Sequence, residues 1–233
     1  MKLLKSASCV LFAAAISFTA HANEAAQANE VQTAGASVGH WTMDLEAAKQ
    51  LAKEKGLPLM LNFTGSDWCG WCKLMDKNVF AQASWKEYAA ENALLVTLDF
   101  PKNKSIVPEN YVDRNKALKE QFGVRGYPTY VILDSDGATK IGQLGAGRDK
   151  TPQSFIAEFK GVVRLSQSNI EAFVKANPDK AETYMAAIQG VKDSKKSLAD
   201  WIATRPPRND ENSKKFVELQ DAIKTAEAKL AEF

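Results

Sequence analysis

Two cysteines with two residues between them, Cys69 and Cys72, stand inside the run Trp68-Cys69-Gly70-Trp71-Cys72. A pair at this spacing is a dithiol that can close into a small disulfide ring. Its natural chemistry is exchange: a thiolate attacks a sulfur–sulfur bond, and the second thiol resolves the mixed disulfide. The same spacing also serves as half a zinc site or as an inert structural bridge. Zinc needs further ligands, and beyond the leader described below the chain holds one histidine, His40, and no other cysteine, so only carboxylates could complete a site. A bridge closing so short a loop would restrict the unfolded chain little. The pair reads as chemical rather than structural, and neither a metal nor a cofactor is expected.

Residues 1–22 have the form of a signal peptide. Lys2 and Lys5 give a positive start, residues 10–18 an apolar core, and Ala20-His21-Ala22 a small-residue cleavage site. Cys9 lies early in this segment, ahead of the place a lipid-anchored cysteine would occupy. Removing Lys2 and Lys5 from a chain of 30 basic and 28 acidic residues leaves a net charge of zero, so the apparent basicity gives no support for nucleic-acid binding. No run approaches the roughly 20 apolar residues of a membrane span. At 233 residues, 45% hydrophobic and 25% charged, the chain is long enough for one globular domain and a sizeable extension. An exported protein with one close cysteine pair is not a disulfide-stapled scaffold. The expected location is outside the cytoplasm, periplasmic if the source is bacterial.

The elements that must position the pair follow from hydrophobic periodicity. Residues 23–40 are a flexible lead-in. Thr42 is expected to cap a helix over 43–55, with Leu45, Ala48, Leu51 and Ala52 as its apolar face and Gly56 as its stop. Residues 57–63 read as a buried strand, 64–67 as a polar loop, and 73–80 as a helix with the cysteines at its mouth. Helix, strand, loop and helix follow over 85–92, 93–99, 100–113 and 114–122. Strands at 129–133 and 139–144 flank the turn Asp134-Ser135-Asp136-Gly137, and a helix opens at Thr151-Pro152. Helical crossovers between the first strands imply parallel neighbours, and the last two strands form a hairpin. The fold class is α/β: a mixed central sheet with helices on both faces. An α-helical C-terminal extension, residues 166–233, adds segments at 168–176, 179–191, 197–204 and 210–233. In the last of these Phe216, Leu219, Ile223, Ala226, Leu230 and Phe233 form a seam that packs on the extension's other helices, supports self-association or serves as a docking surface.

Residues 41–165 resemble the thioredoxin family, through Trp-Cys-x-x-Cys after a central strand and through Gly123-Val124-Arg125-Gly126-Tyr127-Pro128-Thr129, which matches the segment carrying that family's cis-proline. The resemblance implies a thioredoxin fold, with Cys69 as the attacking thiol and Cys72 as the resolving one, the two forming a redox-active disulfide. It further implies a cis bond before Pro128, a substrate strand paired to the backbone of Tyr127, and substrate contact by Trp68 and Trp71. Two departures stand out. Asn62 takes the position of the buried acid that accepts the resolving cysteine's proton, with Thr97 in place of that acid's lysine. An amide cannot act as that base. Lys77 replaces the kinking proline of the following helix. Asp67, just before the pair, reads as a solvated loop carboxylate.

The sequence therefore points to a thiol-disulfide oxidoreductase acting on the thiols and disulfides of exported proteins, reducing or reshuffling them rather than oxidising. A separate redox partner recharges its dithiol. The rival is a thioredoxin-fold binding or chaperone-like module with a regulatory or vestigial dithiol.

Overall fold

The computed structural model describes residues 31–233; the leader and residues 23–30 of the lead-in lie outside them. The elements in order are β1 (Trp41–Thr42), α1 (Leu45–Lys55), β2 (Leu59–Thr64), α2 (Gly70–Met75, continued as a π-turn over Asp76–Phe80), α3 (Ala83–Asn92) and β3 (Leu94–Asp99). Then come α4 (Glu109–Gln121), β4 (Thr129–Leu133), β5 (Lys140–Gly145), α5 (Pro152–Val163), α6 (Gln167–Ala176), α7 (Ala181–Ala203) and α8 (Asp210–Ala231). The sheet order is β1-β3-β2-β4-β5. β3 runs parallel to β1 and β2, β4 antiparallel to β2, and β5 antiparallel to β4.

Side chains alternate across β2, as extended backbone requires. Leu59, Leu61 and Phe63 join Leu45, Ala48, Val96, Leu98 and Val131 in one cluster, under α1 and α4. Met60 joins the other, where Met75, Phe80, Trp85, Tyr130, Phe155 and Phe159 pack from α2, α3, β4 and α5. The sheet is thus covered on both faces, which fits its nearly continuous apolar strands. A third cluster, of Ile170, Tyr184, Ile188, Val191 and Leu230, holds α6, α7 and α8.

Several local expectations are corrected. Asp44, not Thr42, caps α1, its carboxylate accepting from Ala47 N–H at 3.0 Å, while Thr42 is spent on the short strand β1. Gly56 ends the helix in the left-handed conformation, at φ 67°. α4 begins five residues earlier than the periodicity suggests, because Pro108 stands just ahead of its first turn rather than inside it. β4 is not parallel to its neighbour β2, although a helix precedes it: α4 and its connection bring the chain back to the sheet edge that β3 left. The segments 179–191 and 197–204 are one helix, α7, since residues 192–196 contain neither glycine nor proline. At Lys77 the helix carrying the cysteines widens to a π-turn, closed by Ala81 N–H to the Asp76 carbonyl at 2.8 Å. That widening lets the adjacent Val79 and Phe80 both face the core.

Candidate active site

β2 and β3 end, and β4 begins, at one edge of the sheet. Phe63 lies opposite Leu98 on one side and Thr129 on the other. Residues 65–68, 100–103 and 125–128 therefore leave from the same edge, and they build the site.

The first of these connections is stapled to the second at three consecutive residues. Buried Asp99 accepts from Ser66 N–H at 2.9 Å and from its Oγ–H at 2.5 Å. Asp67 accepts from the N–H groups of Lys102 and Asn103 at 3.0 and 2.9 Å. Trp68 donates its indole Nε1–H to the Phe100 carbonyl at 2.9 Å. The Asn103 amide leads the contacts that hold the Asp67 carboxyl below its ordinary range, against a smaller opposing effect of desolvation. Asp67 is thus a loop staple as well as the exposed loop carboxylate expected from sequence, and a lowered pKa suits a standing anion better than a proton acceptor. Gly65 lets the Trp68 ring lie flat on the loop; a Cβ there would fall 2.5 Å from the indole.

This stapled loop delivers Cys69 to the start of α2. Cys69 N–H donates to the Gly65 carbonyl at 2.8 Å, and its sulfur caps the helix by accepting from Cys72 N–H at 3.1 Å. Cys69 and Cys72 are joined as a disulfide, their Cα atoms 5.2 Å apart, with only 5% and 7% of each residue exposed. Trp68 and Trp71 remain 41% and 46% exposed beside this covered pair.

On the third connection the Tyr127–Pro128 peptide bond is cis. The Tyr127 ring meets Trp68 edge-on at 5.7 Å and leans on Phe100 at 5.3 Å. Lys119 Nζ lies 5.4 Å from the Tyr127 ring centre and 5.7 Å from that of Phe100. The tertiary structure thus gathers Trp68, Cys69, Cys72, Tyr127 and Pro128 at one edge, with Trp71 at its exposed margin. His40 precedes β1, in a loop bonded to Ser37.

Asn62 lies in register with Thr97 on β3 and Tyr130 on β4. Its Oδ1 is buried and has no hydrogen-bond partner among the described residues. A carboxyl that hydrophobic patterning does not mark acts on Tyr130, the β4 neighbour of Asn62. Asp76 stands one turn beyond Cys72 and donates its N–H to the Cys72 carbonyl. Desolvation holds its carboxyl above the ordinary range, against the pull of Lys86. Burial raises the phenol of Tyr130, and the Asp76 charge adds to that effect. The spacing of four residues from Cys72 was the available signal. Ser66, Asp99, Phe100 and Lys119 were not readable in this way, because their link to the cysteine loop runs through tertiary contacts, strand pairing for the first three and the Tyr127 ring for Lys119.

Residues 40–135 match a family model described as "Thioredoxin-like". Over 97 residues the chain is 36% identical to a disulfide bond reductase, DsbH, of Chlamydia pneumoniae, covering 42% of this chain and 57% of the relative. It is 31% identical over 107 residues to a thioredoxin-related protein, DsbJ, of the same organism, covering 45% of this chain and 30% of that one. The chain thus spans little more than half the length of the first relative and under a third of the second. A solved structure of a DsbH oxidoreductase superposes with a TM-score of 0.50 at 26% identity, over 62% of this chain and 99% of the other.

Proposed function

We propose, from the premise that this is a thioredoxin-fold chain whose residues 40–135 form a thioredoxin-like domain, that it is a thiol-disulfide oxidoreductase acting on exported proteins. Residues 41–165 would be its catalytic domain and 166–233 a helical extension. One observation carries the reading: the Cys69–Cys72 disulfide caps a helix, with Cys72 N–H on the Cys69 sulfur, at the edge where Trp68 meets Tyr127. The amide that donates to this sulfur stabilises negative charge, and so favours Cys69 as the attacking thiolate.

In the reductive direction the Cys69 thiolate attacks one sulfur of a substrate disulfide. The substrate S–S bond breaks, the first substrate thiolate leaves and takes a proton, and a mixed disulfide remains on Cys69. Cys72 then loses its proton and attacks the Cys69 sulfur, releasing the second substrate thiolate and closing the Cys69–Cys72 ring. Two electrons pass from the dithiol to the substrate. A separate reductant, a redox partner of this chain, would return them. The free backbone groups of Tyr127 would pair with the extended substrate, and Trp68 and Trp71 would flank its sulfur. The name of the 36%-identical relative, a disulfide bond reductase, supports reduction or reshuffling over oxidation. The leader pattern of residues 1–22 supports export, and among the described residues no helix is long and apolar enough to cross a membrane.

Insulin reduction by dithiothreitol tests the activity: the wild type should accelerate it, Cys69→Ser should not, and Cys72→Ser should accumulate mixed disulfides. An inactive wild type, or full activity in Cys69→Ser, overturns the reading. A potential near about −270 mV against glutathione fits a reductase, and one near about −120 mV an oxidase. Asn62, which leaves the sheet without the usual acid, favours a second reading as a binding module. Partners captured equally well after both cysteines are replaced would support that one.

A further inference from the structure

Beside the Tyr127 ring the sheet edge opens into a cavity of about 310 Å³, lined by Phe100, Lys116, Lys119, Glu120, Val124 and Arg125 among others. Phe100 and Lys119 are the residues that pack against Tyr127, so the cavity is continuous with the wall of the cysteine site. A second depression, of about 110 Å³, shares Phe100 and Lys116 and adds Lys104 over an apolar floor that includes Val107 and Val112.

Charge among the residues lining the two depressions is biased to positive: Lys104, Lys116, Lys119 and Arg125 stand against Asp99 and Glu120. Asp99 and Asp67 accept from neutral donors, Ser66 and the Lys102 and Asn103 amides, which turn their carboxylates toward the loops without supplying an opposite charge. Asp113 pairs with Lys116 at 2.9 Å. Glu120 is the remaining carboxylate of the larger cavity. Against it stand Lys104, Lys119 and Arg125, none of which has a carboxylate within ion-pair distance among the described residues. Lys119 instead lies over two aromatic rings. An apolar floor with unpaired cations at its rim suits an extended peptide whose side chains alternate between apolar and anionic.

We propose that this trough is a substrate subsite that selects polypeptide segments with acidic residues flanking the disulfide-bonded cysteine; the proposal rests on the disulfide-exchange reading. Lys104, Lys119 and Arg125 supply the attraction, and Phe100 and Val124 the apolar contact. The subsite acts on kcat/KM by steering and holding the substrate, so its effect is screened by salt.

The test uses three synthetic peptides carrying the same intramolecular disulfide, flanked by Glu, Ser or Lys. kcat/KM for their reduction by the full chain is measured with dithiothreitol as electron source. The acidic peptide should exceed the lysine peptide by about tenfold or more at low salt, and the ratio should approach one near 1 M salt, where screening acts over about 3 Å. Arg125→Glu combined with Lys104→Glu should abolish or invert the preference, the serine peptide serving as internal reference for intact chemistry. Lys119→Glu should do the same independently. Equal rates for all three peptides, or a preference that survives both variants, overturn the subsite while leaving the oxidoreductase standing. A wild type that reduces none of the peptides overturns the underlying activity and the subsite with it.

Discussion

The sheet region and the helical extension bury their apolar residues in different ways. Around the sheet two clusters close, one on each face, and the larger centres on aromatic rings: Phe155 meets Phe80, Trp85 and Tyr130, each at 5.3 Å between ring centres. In the extension, two long helices bury one seam between them, and Met185, Ile202 and Val217 stay exposed. A sheet offers each strand two faces to cover, whereas a helical pair buries only one stripe of each helix. The expected consequence is unequal local stability, with the cysteine site on the rigid part and the extension free to open first.

The largest expected effect breaks the rigid side. Phe155→Ala removes a fully buried ring and should cost about 3–5 kcal/mol, read as a fall in melting temperature accompanied by loss of disulfide exchange. Next, Ile188→Ala in α7 should cost about 2–5 kcal/mol, but mostly within the extension. Hydrogen exchange would then rise over α6, α7 and α8 while β2 stays protected; a uniform rise would remove the contrast between the two regions. Ser168→Ala probes their connection, since the Ser168 Oγ–H donates to buried Asp134 at 2.5 Å. A charged acceptor loses about 1.5–3 kcal/mol in such a case, visible in urea unfolding, and the two regions should then melt less cooperatively.

The two smallest effects sharpen the contrast inside the sheet region, and they have opposite signs. Asp44→Ala removes the cap of α1 and should cost about 1 kcal/mol at neutral pH. The Asp44 carboxyl is held below its ordinary 3.8, chiefly by the Ala47 N–H. Its contribution is therefore present above that pH and disappears as the pH falls through the lower folded value. Asp76 is the reverse case, its carboxyl raised above 3.8 by desolvation. The folded state then binds the proton more tightly, so stability is lost as the pH rises through the folded value. Asp76→Asn should raise the melting temperature slightly at pH 7, with the gain vanishing below about pH 4; a pH-independent difference would remove the titration argument.

Most elements were legible because periodicity is local. Alternation and turn residues marked 129–133 as a strand, and the observed β4 has those bounds. The apolar seam of 210–233 marked α8, whose stripe packs on α7 in one shared cluster with α6. The stapling role of Asp67 was not legible because a carboxylate's partners can lie far along the chain: its acceptor contacts are to residues 35 and 36 positions away. Residues 192–196 were misread for a different reason, since a polar stretch on the exposed side of a long helix resembles a loop.

By itself the sequence determined the dithiol, its spacing, the alternating strands that can bury on two faces and the helices that cover them. These are properties of neighbouring residues, and neighbouring residues are what a chain specifies directly. The tertiary structure alone decided the direction of β4, the staples from Ser66 and Asp67, and the meeting of Trp68, Phe100 and Tyr127. Each depends on which strands lie side by side and in what register, and that is settled only when residues distant in the chain pack against one another.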